Sequence, residues 1–278
     1  ANVLTITRQA RYSTTNENSA DIVLTINGIP IITIELKNQL TGQTWRNAVH
    51  QYKHDRSPDD ILFAFKKRAL VHFAIDTDEA YMTTRLMGDR TYFLPFNKGD
   101  NNGKGNPDNP RGYKTAYIWE EVLARDSLMD IVARFMHLQI EEKKYGNKTI
   151  KKETMIFPRY HQLRCVRRLI ETTRNESAGK SYLIQHSAGS GKSNSIAWLA
   201  YRLASLHDAE DNRIFSSVVV ITDRLVLDQQ LQNTIYQFEH KAGVVQKINE
   251  NSTQLAGALN SAVPIIITTL QKFPFIIE

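Results

Sequence analysis

Tyr182-Leu-Ile-Gln-His-Ser-Ala-Gly-Ser-Gly-Lys-Ser193 is the stretch that decides how the C-terminal half of the chain is interpreted. The short apolar run predicts a strand, a glycine-rich turn follows it, and a helical pattern begins at the Lys-Ser pair. Gly189 and Gly191 let backbone N–H groups converge on negative oxygens without a Cβ in the way. The helix start adds its positive dipole end. This order of elements predicts a loop that wraps a polyphosphate.

The residue types in this loop predict the ligand more closely. Lys192 can reach the β- and γ-phosphates of ATP, and the Ser193 hydroxyl can bind Mg²⁺. The pattern departs from the usual one at His186, where Gly or Ala is expected. An ordinary glycine-rich turn before a helix is the alternative interpretation. The residues predicted to bind ATP are Ser187, Ala188, Gly189, Ser190, Gly191, Lys192 and Ser193.

Composition and charge limit the class of protein. A chain of 278 residues can hold two domains with cores of their own. No apolar run approaches the ~20 residues that cross a membrane, and the first residues have no secretory core. A single cysteine, Cys165, fits a reducing cytoplasm, which is the predicted location. The net charge of +6 favours polyanionic partners.

A second informative stretch runs from Asp21 to Lys37. Asn27-Gly28 between two β-branched runs predicts a β-hairpin, and its strands are apolar at nearly every position, so we expect them deep in a sheet. Asp21, Glu35 and Lys37 stand at the ends of these strands. Charges in such places must be paired, bind a metal or take part in chemistry.

The register of this hairpin decides whether the two acids meet. A two-residue turn pairs position 26 with 29 and therefore 21 with 34, which puts Asp21 and Glu35 on opposite faces. One extra residue shifts the pairing to 21 with 35. If the charges form one site, we expect a bulge or an odd loop near residues 27–30, where Pro30 already lacks one N–H donor.

Such a site would cut phosphodiester bonds with a metal ion. Asp21 and Glu35, with the carbonyl of Leu36, offer the oxygen ligands that Mg²⁺ prefers, and Lys37 could orient the attacking water. A structural ion pair remains the alternative. Three further Glu-x-Lys sequences begin at Glu141, Glu142 and Glu239, and we expect them on solvated helices.

The rest of the chain predicts two α/β domains, 1–145 and 146–278, divided at a basic connection over 143–152. The first would hold strands over 61–65, 69–75 and 79–85, a loop over 97–112, and helices over 47–56 and 118–142. The helix over 47–56 offers Lys53 and Arg56 to phosphates, or is a plain surface helix. In the second domain, a helix up to Ile170 and apolar strands over 217–222 and 265–269 predict a parallel sheet, with Arg224 and Thr269 just past strand ends.

Together, Asp21…Glu35-Leu-Lys37, then Gln51-Tyr52-Lys53, then the glycine-rich loop resemble the restriction (R) subunit of type I restriction-modification enzymes. The resemblance runs from about Val3 to the end. It implies a restriction-endonuclease-like mixed-sheet domain of the PD-(D/E)xK class, followed by part of a RecA-like parallel-sheet P-loop motor. Mg²⁺ and ATP would be the cofactors. The partners would be double-stranded DNA and the methylase and specificity subunits, with no membrane.

The resemblance also implies roles for single residues. Asp21 and Glu35 would be metal ligands, Lys37 the catalytic lysine, and Gln162 the residue that reads adenine. The residues implied to contact DNA are Tyr52, Lys53, Arg224 and Thr269.

Two departures limit the resemblance. Some relatives carry glutamine four residues before the tyrosine, where this chain has Ala48, and the Asp-Glu-x-His box, second motor lobe and arginine finger are absent from these residues. Both ends look cut. Because the water-activating acid and the arginine would come from sequence outside these residues, we expect weak ATP binding and no hydrolysis. A repair helicase whose first domain binds DNA without cutting it, and a P-loop scaffold without activity, are the alternatives.

Overall fold

The computed structural model describes residues 2–13, 16–101, 103–145, 148–222, 225–238 and 243–273. They form two compact units that divide between Tyr160 and His161. This division lies C-terminal to the predicted boundary at residue 145, because the segment in between packs on the first unit. Phe157, for example, contacts Phe73 edge-to-face with ring centroids 5.8 Å apart.

The first unit is built on one mixed sheet of six strands. Neighbouring strands follow the order of the chain and are antiparallel, except that β3 and β4 are parallel. The strands are β1 (Leu4–Arg11), β2 (Ser19–Ile26), β3 (Ile29–Leu36), β4 (Val71–Ile75), β5 (Ala80–Thr83) and β6 (Leu94–Pro95).

The β2–β3 hairpin has the predicted turn. Asn27 and Gly28 both have positive φ, 53° and 80°, which is the backbone of the two-residue turn whose twist matches that of the strands. Ile26 pairs with Ile29, as expected for this turn.

The predicted irregularity is also present, one residue beyond the expected range. Thr25 pairs with Pro30 but Leu24 pairs with Ile32, so that Ile31 is an extra residue in β3. Beyond this bulge Ile22 pairs with Ile34, and the same register brings Asp21 opposite Glu35.

Helices and a hairpin complete the first unit. Helix α1 (Trp45–His54) begins at a Thr44 cap, residues Ile118–Val122 form a π-helical segment, and α2 spans Arg125–Arg134. A separate antiparallel pair follows, β7 (His137–Tyr145) and β8 (Lys148–Ile156).

Three predictions for this unit are wrong. Residues 61–65 form turns rather than a strand, because the buried Leu62 and Phe63 fill the core from a loop. The helix predicted over 118–142 ends at Arg134, and the connection predicted over 143–152 lies in the β7–β8 pair. Glu141 and Glu142 therefore lie on a strand, where Glu142 pairs across to Lys151 at 2.9 Å.

The second unit has a three-stranded parallel sheet, as predicted. Its strand order is β10-β11-β9, and Ile265, Ile266 and Ile267 of the central strand are fully buried. The strands are β9 (Val218–Thr222), β10 (Val245–Lys247) and β11 (Ile265–Thr269). The helices are α3 (Tyr160–Glu176), α4 (Lys192–Ala204), α5 (Leu225–Tyr236) and α6 (Ser252–Asn260).

The strand predicted before the glycine-rich loop is wrong. Residues 182–185, all of them described, form no strand, and Leu183 is 95% exposed. An apolar run forms a strand only beside a partner strand, and none of the described strands pairs with residues 182–185. Among the described helices, none combines the length and apolar character needed to span a membrane.

Candidate functional site

The bulged hairpin brings Asp21 next to the end of β3. Asp21 Oδ2 accepts a hydrogen bond from the backbone N–H of Leu36 at 2.8 Å, and its Oδ1 accepts one from Gln9 Nε2 at 3.1 Å. The N–H of Leu36 directly follows Glu35 in the chain. The carboxylate of Asp21 is therefore held beside Glu35 by the backbone itself.

Glu35 is a fully buried acid with one engaged and one unengaged oxygen. Its Oε1 accepts a hydrogen bond from Arg56 Nε at 2.9 Å, and Arg56 Nη2 lies 2.8 Å from the same oxygen as part of the ion pair. Arg56 is also buried, and its Nη2 donates to the carbonyl of Ser19 at 2.8 Å. Glu35 Oε2 is buried and accepts no hydrogen bond within the described part of the chain.

The electrostatics of Glu35 follow from this environment. Burial raises the pKa of Glu35 to about 7, the Arg56 guanidinium opposes the rise, and the negative charge of Asp21 adds to it. Like charges held together in a buried place are costly unless a cation lies between or beside them. The charge of the pair beyond what Arg56 offsets is therefore relieved either by a proton on Glu35, shared with Asp21, or by a positive ion near Oε2.

These residues fit a magnesium ion. Mg²⁺ commonly uses one or two carboxylates and keeps several waters, and a second oxygen atom of Glu35 is available to it. Within the described ranges no cluster of three or more His, Cys, Asp and Glu side chains could hold a metal ion. The metal donors offered here are thus the carboxylates of Asp21 and Glu35. Two carboxylates suit Mg²⁺, which keeps several waters, and do not suit a metal whose ligands must all come from the protein.

Lys37 continues β3 by one residue. Its backbone N–H donates to the carbonyl of Ile75 at 2.8 Å, which extends the parallel pairing with β4. The residue is half-buried and lines a cavity of about 220 Å³ at the ends of these two strands. Lys37 is thereby placed at the same end of β3 as Glu35.

The glycine-rich loop of the second unit adopts a compact turn before α4. Gly189 and Gly191 have φ of 71° and 79°, and α4 begins at Lys192. Lys192 Nζ donates to the carbonyls of Ser187 at 2.9 Å and His186 at 3.3 Å. The ammonium group therefore already contacts oxygen atoms on the inner side of this loop.

Two residues of α3 support the loop from beneath. Gln162 is 3% exposed, and its Nε2 donates to the carbonyl of Gly191 at 2.8 Å. His161 Nε2 lies 3.0 Å from the carbonyl of Ser190. Ser190 is buried, and its hydroxyl has no hydrogen-bond partner among the described residues. The outer part of the loop, Ser187 to Gly189, is exposed, and Ser193 is half-buried.

Each of the two units matches a known protein family. Residues 1–91 match the family described as the type I restriction enzyme R protein N terminus, and residues 161–276 match the SWI2/SNF2 ATPase family. The chain resembles type I restriction endonuclease subunits over most of its length. It is 26% identical over 263 residues to the type I restriction enzyme HindI endonuclease subunit of Haemophilus influenzae, covering 91% of this chain and 23% of that protein.

Two staphylococcal proteins show the same similarity. The type I restriction enzyme SsaAORF53P endonuclease subunit of Staphylococcus saprophyticus is 26% identical over 275 residues, with 98% of this chain and 26% of that protein covered. The SauCOLORF180P endonuclease subunit of Staphylococcus aureus is 24% identical over 276 residues, with the same coverages of 98% and 26%. The chain thus spans about a quarter of the length of these relatives.

The resemblance to restriction endonuclease subunits implied four DNA contacts, and the structure does not support two of them. Tyr52 is fully buried, and its hydroxyl lies 2.9 Å from Thr33 Oγ1, so that it is a core residue rather than a surface contact. Thr269 is 4% exposed at the end of β11. Lys53 is half-buried on α1. Arg224 lies outside the described residues.

The structure gives contacts for two residues whose roles the sequence could not fix. Arg56, which the sequence offered either to phosphates or to a plain surface helix, is buried and binds Glu35, since a buried glutamate requires such a partner. The side chain of Gln162, which the resemblance implies reads adenine, contacts the backbone of the glycine-rich loop, and its role toward a nucleotide stays a prediction. One sequence signal could have indicated the burial of Arg56. It follows the buried Ala48 and Tyr52 of α1 at the same four-residue spacing, which places all three on one face of the predicted helix.

Proposed function

We propose that this chain is the nuclease domain and first motor lobe of the R subunit of a type I restriction enzyme. The first unit would be a restriction-endonuclease-like domain that cuts DNA with Mg²⁺, and the second a RecA-like lobe that binds ATP. The observation that carries the proposal is the free Oε2 of the buried Glu35, beside Asp21 on a hairpin whose bulge pairs the two acids.

In the proposed nuclease, Asp21 and Glu35 hold the metal ion. When bound, Mg²⁺ would supply positive charge to the scissile phosphate and acidify an attacking water. The Leu36 N–H keeps Asp21 turned toward β3, and Arg56 keeps Glu35 fixed through Oε1. Lys37, at the end of the same strand, would orient the water or neutralise the charge that develops on the phosphate.

In the proposed motor lobe, the loop before α4 binds the triphosphate. Lys192 would exchange the carbonyl oxygens of Ser187 and His186 for phosphate oxygens, and Ser193 would bind the Mg²⁺ that accompanies ATP. In the complete protein, ATP hydrolysis would drive movement along double-stranded DNA. Methylase and specificity subunits would select the sequence, as the resemblance to R subunits implies, and contacts of this chain would go to phosphates.

The decisive experiment uses Glu35→Ala in the complete enzyme. We expect Mg²⁺-dependent DNA cleavage to be lost while ATP hydrolysis stays at the wild-type rate, because the two activities belong to separate units. Glu141→Ala is the matched control, since Glu141 begins another Glu-x-Lys sequence on β7 and should leave cleavage intact. Normal cleavage by Glu35→Ala would defeat the nuclease proposal.

A second candidate has one observation in its favour. The Arg56–Glu35 contact is also what a purely structural ion pair would look like, which suits a helicase whose first domain binds DNA without cutting. A structural pair, however, would be expected to satisfy both carboxylate oxygens, and Oε2 is left free. The same Glu35→Ala experiment separates the two candidates.

A further inference from the structure

A small cavity opens at the C-terminal ends of the parallel strands β3 and β4. It has a volume of about 220 Å³, and its lining includes Lys37, Asn38, Asp76, Thr115, Tyr113 and Trp119. Ligands of open α/β sheets bind outside the carboxyl ends of parallel strands, where loops leave a crevice. Lys37 belongs both to this cavity and to the proposed catalytic group, so the cavity directly adjoins the candidate active site.

One wall of the cavity consists of two exposed aromatic rings. Tyr113 and Trp119 are 57% and 47% exposed, and their centroids lie 6.4 Å apart in an edge-to-face arrangement. Large aromatic side chains held together on an open wall provide flat apolar area for another ring system. The pair is thus built to receive a flat ligand.

The two charged residues in the cavity lining differ in how far their charged groups are already engaged. Both oxygens of Asp76 are engaged by backbone N–H groups: Oδ2 by Trp45 at 2.9 Å, and Oδ1 by Asp78 and Glu79 at 2.8 Å each. These hydrogen bonds hold the start of α1 and the β4–β5 turn in place. Lys37, in contrast, forms no ion pair with the acids of the described residues, so a phosphate bound in the cavity would be a partner for its charge.

We infer that this cavity binds one unstacked nucleotide of the DNA strand that passes the active site. The base would stack on the face of Trp119 with Tyr113 against its edge, because the two rings are nearly perpendicular, and its phosphate would face Lys37. The volume lies below the about 300–1,000 Å³ typical of pockets for drug-sized ligands, which suits a single base rather than a base pair. This inference rests on the proposed nuclease function and names the form of DNA that the site accepts.

The test measures binding of a fluorescein-labelled oligothymidine and of a blunt duplex to the complete protein by fluorescence anisotropy, with EDTA present. We expect Trp119→Ala to weaken oligothymidine binding by about 5- to 150-fold, since stacking on one aromatic ring contributes about 1–3 kcal/mol. Trp119→Phe should retain most of the affinity because it keeps an aromatic face. Tyr92→Ala is the matched control, because Tyr92 is 74% exposed and lies outside the cavity lining.

Three results would overturn the inference: unchanged oligothymidine binding by Trp119→Ala, equal losses for oligothymidine and duplex, or an equal loss in Tyr92→Ala. Because Trp119 is exposed, Trp119→Ala should keep the wild-type melting temperature, which is measured alongside. Binding in EDTA does not depend on cleavage. Failure of the nuclease proposal would appear in Glu35→Ala, and failure of the cavity proposal would appear in Trp119→Ala.

Discussion

Arg56 Nε donates a hydrogen bond to Oε1 of Glu35, and its Nη2 lies 2.8 Å from the same oxygen, while the second oxygen of that buried carboxylate accepts no hydrogen bond from the described residues. A guanidinium usually meets a carboxylate with two parallel bonds, one to each oxygen. Here Arg56 also reaches the carbonyl of Ser19, which draws it toward the start of β2. The arrangement fixes the side chain of Glu35 and keeps one oxygen turned away from its own partner.

The first prediction concerns this contact. Arg56→Met removes the guanidinium that opposes the pKa rise of the buried Glu35, so Glu35 should be protonated more often, and we expect weaker Mg²⁺ or Mn²⁺ binding by isothermal titration calorimetry. We also expect a loss of about 3–5 kcal/mol in the free energy of unfolding, the usual effect of breaking a buried pair from one side. Arg56→Lys should retain part of both quantities.

Arg46→Met is the control, because Arg46 also belongs to α1 and lies over the exposed side of the Trp45 ring. It should bind metal as the wild type does. Metal binding by Arg56→Met with wild-type affinity would show that Arg56 does not hold Glu35 for the ion.

The second prediction concerns pH and His72. Burial lowers the pKa of His72 from 6.5 to about 3, and its Nδ1 lies 2.8 Å from Thr33 Oγ1. The neutral ring is therefore favoured in the folded state, and its contribution to stability is complete above pH 6.5. Below that value the contribution of His72 falls by about 1.4 kcal/mol per pH unit until about pH 3. In urea unfolding the wild type should thus lose roughly 2 kcal/mol relative to His72→Asn between pH 6.5 and pH 5.

Two comparisons make this measurement specific. Glu35 changes the free energy of unfolding in the opposite direction. Because its pKa is raised from 4.5 to about 7, its contribution to stability is complete below pH 4.5 and is lost as the pH rises through 7. The difference between wild type and His72→Asn removes this common background. His54→Gln changes an exposed histidine and should keep the wild-type pH dependence. If His72→Asn keeps it as well, the buried ring is not its source.

Much of the hairpin could be predicted because its signals are local. Asn27-Gly28 encodes a turn with two positive φ angles, and the requirement that Asp21 meet Glu35 predicted an extra residue in a strand. The bulge falls at Ile31, next to Pro30. Register is a consequence of chain geometry, which is why a sequence argument could predict it.

Other features depended on contacts that sequence periodicity does not contain. Residues 135–142 fit a helical pattern, but Glu142 and Lys151 form a cross-strand pair, and β7 gains its hydrogen bonds from β8. Leu183 lies in an apolar run typical of a strand and is exposed without a partner strand among those described. Strand formation depends on a partner strand, which β7 has in β8 and which the run around Leu183 lacks among the described strands.

The third prediction separates structure from DNA contact at Tyr52. Tyr52→Phe removes the hydroxyl that lies 2.9 Å from Thr33 Oγ1, so we expect about 1 kcal/mol less stability in urea unfolding. DNA affinity should stay at the wild-type value because the ring is fully buried. Lys53→Ala provides the contrast: it should leave stability nearly unchanged, and if Lys53 contacts a phosphate, it should reduce the salt dependence of DNA binding. If the folded Tyr52→Phe variant binds DNA more weakly than the wild type, Tyr52 contacts DNA after all.

The last prediction compares two glycines of the glycine-rich loop. A Cβ at Gly191 would lie 2.5 Å from Gln162 Nε2, whereas a Cβ at Gly189 would meet nothing within 4 Å. Both residues have positive φ, so both alanine variants carry backbone strain of about 1–2 kcal/mol, but only Gly191→Ala must also displace Gln162. We expect Gly191→Ala to weaken binding of a fluorescent ATP analogue more than Gly189→Ala does.

A double variant identifies the cause. Gln162→Ala removes the side chain that Gly191→Ala would strike, so Gly191→Ala with Gln162→Ala should bind the analogue better than Gly191→Ala alone. The recovery should stop short of wild type, because the hydrogen bond from Gln162 to the Gly191 carbonyl is lost and the strain at position 191 remains. Equal losses in the two single variants would mean that strain alone matters. No recovery in the double variant would mean that Gln162 acts on the nucleotide directly, as the sequence had led us to expect.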